Sequence, residues 1–236
     1  MKRDWSDSTV VILTCDRDRE VLGLCLKGIE RFWKGIKVAV LHDKDRSKDT
    51  DVPSDLRDLA QEIPYLRKVL DLPSISATDQ IFCIDSDCLL VDEPYDWPDA
   101  AYLSVGPGCL GSMWLKWGSN VWESLGYPRL DESRIFCGGC WSAKRSEMFD
   151  PHRELIFDYL HECIRRGYHK HKFPGPVMEQ CLLNGLWHMA YQDRQLPQWR
   201  YPLYHPTDSM AILHLSEVQN MEGGKTIIAK YKEMVA

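Results

Sequence analysis

The chain opens with two short apolar runs separated by one amphipathic segment. That order restricts the fold more than anything that follows it. Thr9–Thr14 (TVVILT) is apolar and β-branched, the composition of a buried strand. Val21, Leu22, Leu24, Cys25, Leu26, Ile29 and Phe32 then recur at helical spacing, so a helix runs to about Trp33, where Gly35 stops it. Lys37–Leu41 (KVAVL) reads as a second strand ending at His42-Asp43. A strand, a helical crossover and a second strand make the opening of a parallel sheet, because parallel neighbours need a connection of this length. The expected fold class is therefore α/β, with a mixed, mainly parallel central sheet flanked by helices. Ligands of such sheets bind beyond the carboxyl ends of the strands. Thr14, Asp16, Arg17 and Asp43 fall there. Each alone is ordinary turn chemistry; together, at the ends of adjacent strands, they make a nucleoside pocket.

The next constraint is Ile81–Val91 (IFCIDSDCLLV). Apolar residues run from Ile81 to Ile84, Asp85 and Asp87 follow at alternate positions, and apolar residues resume at Leu89. A buried strand that ends in two acids calls for a cation. Two aspartates one residue apart at a strand terminus, with Ser86 in the turn between them, can aim oxygens at one hard divalent ion, which keeps several waters and takes further oxygens from a diphosphate. The plainer alternative is a pair of acids that caps the strand and faces water.

Further along, Asp55–Ile63 reads as a short helix ended by Pro64, Leu66–Leu72 as a third strand, and Ala101–Val105 as another. Cys109–Pro128, with Trp114, Trp117 and Trp122, fits no clean pattern; it is either an acceptor-facing flap or ordinary packing. Ile135–Ala143 (IFCGGCWSA) is strand-like, and Gly138-Gly139 permits close approach of a ligand, or a bulge. The same stretch forms Cys137-x-x-Cys140, a weak zinc or redox pattern without a second pair. Pro151–Arg166 is an amphipathic helix, and it runs into the basic cluster Arg165–Lys172. That cluster is either a solvated helix end or a place for a phosphorylated or nucleic-acid acceptor. Pro176–His188 is a helix with Glu179 in its first turn. Arg194–Pro206 is irregular, Ala211–Leu215 (AILHL) is a last strand holding His214, and Asn220–Lys225 (NMEGGK) is a glycine-hinged turn before a final helix.

Composition narrows the classes. The 236 residues suffice for one large domain, and a hydrophobic share of 44% with 27% charged is that of a globular protein. A net charge of −6 argues against a general nucleic-acid binder but leaves a local basic patch open. Nine tryptophans lean toward sugar or base stacking, though they also fill cores. The nine cysteines lie mostly in apolar segments, no signal peptide precedes the first strand, and no apolar run reaches membrane-spanning length. The expected setting is cytoplasmic, with reduced thiols and no transmembrane segment.

On these residues the chain resembles small GT-A glycosyltransferases, which use a nucleotide sugar and a divalent metal. VVILTCDRDREVLGLCLKGI looks like their first strand and helix, IFCIDSDCLLVDEP like their DxD strand, and FCGGCWSAKRSEM like the donor-side strand that follows. PVMEQCLLN resembles the helix carrying an acid near the acceptor, and AILHLSE with GGK resembles the closing His strand and Lys turn of the glycogenin-like branch. That branch carries H-x-x-G-x-x-K-P-W, whereas no Pro-Trp follows Lys225 here and His214 stands farther from it. The resemblance implies a single GT-A-like (Rossmann-like) domain over 1–236, with a nucleotide-binding half at 1–100 and an acceptor-side half at 101–236. It implies Mn²⁺ or Mg²⁺ held by Asp85, Asp87 and His214. It places the donor, a UDP-hexose by analogy, against Thr14, Asp16, Arg17, Asp43, Asp85, Gly138, Gly139 and Lys225. Asp87 and Glu179 become the catalytic residues, with Glu179 a base if the reaction inverts or a stabiliser of sugar charge if it retains. The acceptor stays open among glycan, protein, small molecule and modified nucleic acid.

Three other classes fit less well. A haloacid-dehalogenase-like phosphatase carries its DxD at the start of the chain with Thr or Val two after the second Asp, where this chain has Leu89. A nucleotidyltransferase wants a glycine-rich basic loop after the first strand, and CDRDRE has no glycine. A non-catalytic sugar- or nucleic-acid-binding module is separated only by experiment, since an intact metal site predicts slow donor hydrolysis and a binding module predicts none.

Overall fold

A computed structural model describes residues 4–45, 47, 49–93, 101–104, 111–132, 135–191, 199–200, 212–214 and 222–236. The first unit forms as expected: β1 (Ser8–Thr14), α1 (Arg19–Phe32) and β2 (Lys37–His42), with β1 and β2 parallel and Thr14 opposite His42. β3 (Gln80–Asp85) lies parallel on the other side of β1. Beyond it come β6 (Phe136–Lys144), antiparallel to β3, then β5 (Ala101–Ser104) and β7 (Trp199–Arg200), giving the order β2-β1-β3-β6-β5-β7. Only β6 opposes the other five strands, so the sheet is mixed and mostly parallel. Strands from both sides of residue 100 join in this one sheet. β7 adds a short parallel pairing to β5 in the stretch expected to be irregular.

Strand alternation sorts the core into two layers. Val10, Ile12, Phe82 and Ile84 meet Cys25 and Ile29 of α1 and Trp33 just after it, and Trp5, Trp33 and Phe82 meet edge to face at 5.2–5.4 Å. Val11, Leu13, Ile81 and Cys83 face the opposite layer. That layer holds α2 (Ser54–Glu62), α5 (Ser112–Ser124), α7 (Arg153–Arg165) and α8 (Cys181–Tyr191), with the short α6 (Arg145–Met148) after β6. Residues 111–124, which fitted no pattern, are thus largely a helix. Its Leu115, Gly118, Val121 and Trp122 are buried, and Trp122 donates to the carbonyl of Cys181 at 3.2 Å.

One expectation fails in a way that matters for the site. Leu66–Leu72 is not a strand but helical: a turn at Pro64–Leu66, then α3 (Arg67–Leu70) and α4 (Leu72–Ile75). Leu66, Val69 and Leu70 reach the core together at helical spacing, and the intervening Arg67 and Lys68 are buried as well. The strand that starts at Ile81 ends in its acids, as expected. β3 ends at Asp85, the chain turns through Ser86 and Asp87, and β4 (Cys88–Leu90) leaves the main sheet to pair with β8 (Ile212–His214). α9 (Glu222–Val235) includes Gly223, Gly224 and Lys225, which were expected to form a turn before it. α9 packs on α1 where Gly28 leaves room: a Cβ there would lie 2.0 Å from the Tyr231 hydroxyl. That hydroxyl donates to the Leu90 carbonyl at 2.6 Å.

Candidate active site

The carboxyl ends of β1, β2 and β3 form one edge. Asp43 N donates to Thr14 O at 2.9 Å, holding the turns after β1 and β2 together. Thr14 is buried, while Asp16 and Arg17 are exposed on the turn Asp16–Asp18. His42 sits between two acids, with Nε2 at 3.2 Å from Asp16 Oδ1 and Nδ1 at 3.0 Å from Asp43 Oδ1. Lys44 also pairs with Asp16 and, with His42, holds its carboxyl below the usual range. Asp18 binds this turn to the next: Ser86 Oγ donates to Asp18 Oδ2 at 2.9 Å, and Cys15 Sγ at 3.3 Å. The four residues expected to receive a nucleoside do share one edge with the Asp85–Asp87 turn.

The centre of the site is a residue that sequence reasoning passed over. Lys68, 4% exposed, points its ammonium at Asp85 Oδ1 (2.6 Å), Glu179 Oε1 (3.8 Å) and the carbonyl of Gly138 (3.2 Å). The cation demanded by an acid at the end of a buried strand is thus, for Asp85, a lysine. Burial alone would pull Lys68 down; the carboxylates of Asp85 and Glu179 outweigh it and hold the ammonium charged, well above its ordinary value. Neighbouring Arg67 is buried by the same logic. Its Nε donates to Asp71 Oδ2 at 2.6 Å, and it also donates to the His42 carbonyl, fixing the end of β2.

Glu179 arrives from an irregular helix start. The expected helix from Pro176 to His188 begins as a π turn, Pro176–Gln180, and becomes α-helical at Cys181. π turns inside helices recur at functional sites because the extra residue re-aims a side chain. Here Gln180 Nε2 and Asn184 Nδ2 both donate to Phe136 O at 3.1 Å, and Asn184 Oδ1 accepts from Phe136 N at 2.9 Å. These bonds clamp the turn to the first residue of β6. Glu179 then lies over Gly138, where a Cβ would come 2.6 Å from Oε1. The close approach allowed by Gly138 therefore serves Glu179. Glu179 is buried and its Oε1 has no hydrogen-bond partner within the protein. Burial lifts its carboxyl to about 7, with Lys68 lowering it and Asp85 raising it.

The chain matches no protein-family model and no curated protein.

The remaining expectations divide. Asp87 is half-buried beside Asp85, and Cys88 Sγ donates to Gly139 O at 3.7 Å, so Gly139 borders the same turn. His214 places its backbone opposite Cys88, the residue after Asp87; its side chain lies outside the described residues. No group of three His, Cys, Asp or Glu side chains among the described residues is arranged to hold a metal. Lys225 is exposed on α9, and the described contacts do not join it to the Lys68 cluster. Cys140 is a buried free thiol, and the side chain of Cys137 lies outside the described residues. The missed residues, Lys68 and Asp18, had one signal between them: two bases, Arg67 and Lys68, inside the apolar stretch LRKVL, where each needs a buried acid.

Proposed function

We propose that this protein is a glycosyltransferase that moves a sugar from a nucleotide sugar, UDP-hexose by analogy, to an acceptor hydroxyl with the help of Mn²⁺ or Mg²⁺. The observation that carries the reading is the convergence of Asp85 and Glu179 on buried Lys68, beside Asp87 and beyond the carboxyl ends of parallel strands. Asp85 and Asp87 offer carboxylate oxygens on either side of Ser86, ligands of the kind a hard divalent ion takes. The backbone of His214 beside Cys88 is consistent with a third ligand there. Bound at this turn, such an ion would supply Lewis-acid neutralisation of the charge that grows on a departing diphosphate.

The chain's own groups carry the rest. Lys68 fixes the Asp85 carboxylate and keeps positive charge near the sugar-side edge of the turn. Asp16, Arg17, His42 and Asp43 line the edge where base and ribose would lie, next to buried Thr14. Glu179 Oε1, buried without a hydrogen-bond donor, would receive the acceptor's hydroxyl proton, and a carboxyl near neutrality suits that task. In a retaining transfer the same carboxylate would stabilise positive charge on the sugar ring. No helix among the described residues is long and apolar enough to cross a membrane. The seven cysteines described as free support a reducing, cytoplasmic setting.

The test is thermal unfolding against nucleotides and nucleotide sugars with Mn²⁺, Mg²⁺ or EDTA. A ligand at 100 times its Kd stabilises by about 2.7 kcal/mol. A shift that needs both metal and one nucleoside diphosphate, lost in Asp87→Ala with the fold intact, supports the reading. No shift with any donor refutes it.

A further inference from the structure

The π turn carrying Glu179 is enclosed by α5, the turn Tyr168–Lys170 and the turn Pro64–Leu66. The surface these elements present is unlike the rest of this acidic chain. From Cys163 to Met178 there is no acid, while Arg165, Arg166, His169, Lys170, His171 and Lys172 all fall in that stretch. Residues 111–122 of α5 and its start also lack an acid and carry Lys116. Arg165 and Arg166 are engaged by Glu162, which they hold down at about 2. Lys116, Lys170 and Lys172 are exposed.

Aromatic rings lie among these cations. Trp117 stacks on Tyr168 at 4.8 Å with planes 5° apart, and Trp114 meets His171 edge to face at 4.6 Å. They form a half-buried floor. Above it Phe173 is 55% exposed, with the Lys172 ammonium 5.2 Å from its ring centre. At the other rim Tyr65 is 52% exposed, rests against Gly175, and is close enough to Lys68, Asp85 and Glu179 to feel their charges. Of the five large hydrophobics exposed among the described residues, Tyr65 and Phe173 belong to the segments around this floor, and Met113 precedes Trp114 on α5.

We propose that this face binds single-stranded nucleic acid and leads it across Tyr65 to Glu179. Such a strand alternates phosphates with flat bases, which is what exposed lysines beside exposed rings recognise without regard to sequence. An anionic bilayer would need bare apolar tips to insert, and the Phe173 ring carries an ammonium instead. A neutral glycan would leave the charge of this face unused. The strand's role as acceptor rests on the glycosyltransferase reading; its binding does not. In the transfer, a hydroxyl oxygen of the strand bonds to the sugar's anomeric carbon. The bond from that carbon to the diphosphate oxygen breaks, its electron pair leaves with the diphosphate, and the hydroxyl proton passes to Glu179.

The experiment is fluorescence anisotropy of a labelled oligo-dT with the full chain between 50 and 200 mM salt. Three phosphate contacts give a slope of about −2 in log affinity against log salt, or about a 20-fold loss across that range. Replacing Lys116, Lys170 and Lys172 together by Glu should weaken binding at least tenfold and flatten the slope. The same variant should keep the thermal shift given by nucleotide sugar and metal, since these lysines lie outside the donor edge. Three results overturn the proposal: no binding at 50 mM salt, equal binding by the triple variant, or capture by phosphatidylserine vesicles in place of the strand. Strand binding without any donor response supports the face as a binding surface and refutes the transferase reading alone.

Discussion

Replacing Lys68 by Met keeps the length of the side chain and removes the charge on which two carboxylates converge. At an effective dielectric of about 20, unit charges 2.6 and 3.8 Å apart attract by about 6 and 4 kcal/mol. Most of that is offset by the cost of burying the ammonium, so the expected loss of stability is about 3–5 kcal/mol, the usual range for removing one partner of a buried pair. The loss should depend on pH. Glu179 titrates at about 7 with Lys68 present, and Lys68 is what lowers it, so the variant carries Glu179 higher still. Below pH 6 the carboxyl is neutral in both proteins and only Asp85 lacks its partner. Above pH 7 the variant must either bury an uncompensated carboxylate or take up a proton, and the gap to wild type widens. Urea unfolding at pH 6 and pH 8, with circular dichroism to confirm the native fold at zero denaturant, measures both. A loss under about 1 kcal/mol at pH 8 would show that the ammonium is not the counter-charge of this site. A loss independent of pH would show that Glu179 does not depend on it.

Other perturbations test the neighbouring residues. Gly138→Ala drives a methyl into Glu179 Oε1 and should cost about 1–3 kcal/mol and displace the carboxylate, so turnover should fall further than donor affinity. Unchanged turnover would remove Glu179 from the reaction. The Glu179 carboxyl is raised from 4.5 to about 7, so its contribution to stability is full below pH 4.5 and is lost as pH rises through 7, a decline of about 3 kcal/mol. Glu179→Gln should abolish that part of the pH dependence of the urea midpoint. Tyr231→Phe deletes the hydrogen bond to Leu90 O and should cost about 1–2 kcal/mol, with faster amide exchange confined to α9 and β4. Uniform exchange across the sheet would show that the bond is not local in its effect.

The sheet was legible because its two central strands, β1 and β3, are buried on both faces, and TVVILT and IFCI carry that fact in composition alone. KVAVL carries the same apolar pattern at the sheet edge, where Val38 and Val40 are exposed, and the parallel pairings follow from the crossover. The helical LRKVL stretch was not legible. Its buried bases look out of place until their acids are supplied, Asp71 one helical turn beyond Arg67 and Asp85 and Glu179 from farther along the chain. The turn at Ser86 was legible from the two acids that end β3, but the departure of β4 was not, since a strand that leaves its sheet to pair with residues 212–214 has the same local pattern as one that continues. Of the expected site residues, Asp85, Gly138 and Glu179 meet through Lys68, and Thr14, Asp16 and Asp43 share a strand-end edge. Lys225 was placed by analogy with a turn that is a helix in this chain, and nothing in its local pattern marks the difference.

The pairing of β4 with the end of the chain sets a timetable for synthesis. Tyr231 reaches Leu90 across 141 residues. At about 5–20 residues per second, the Asp85–Asp87 turn waits roughly 7–30 s on the ribosome before α9 exists to close over the segment behind it. Throughout that interval β4 offers an unpaired apolar edge, the kind of surface on which neighbouring nascent chains associate. Any product truncated before residue 212 keeps that edge permanently. Termination before β8 would therefore yield a sticky fragment rather than a smaller working protein.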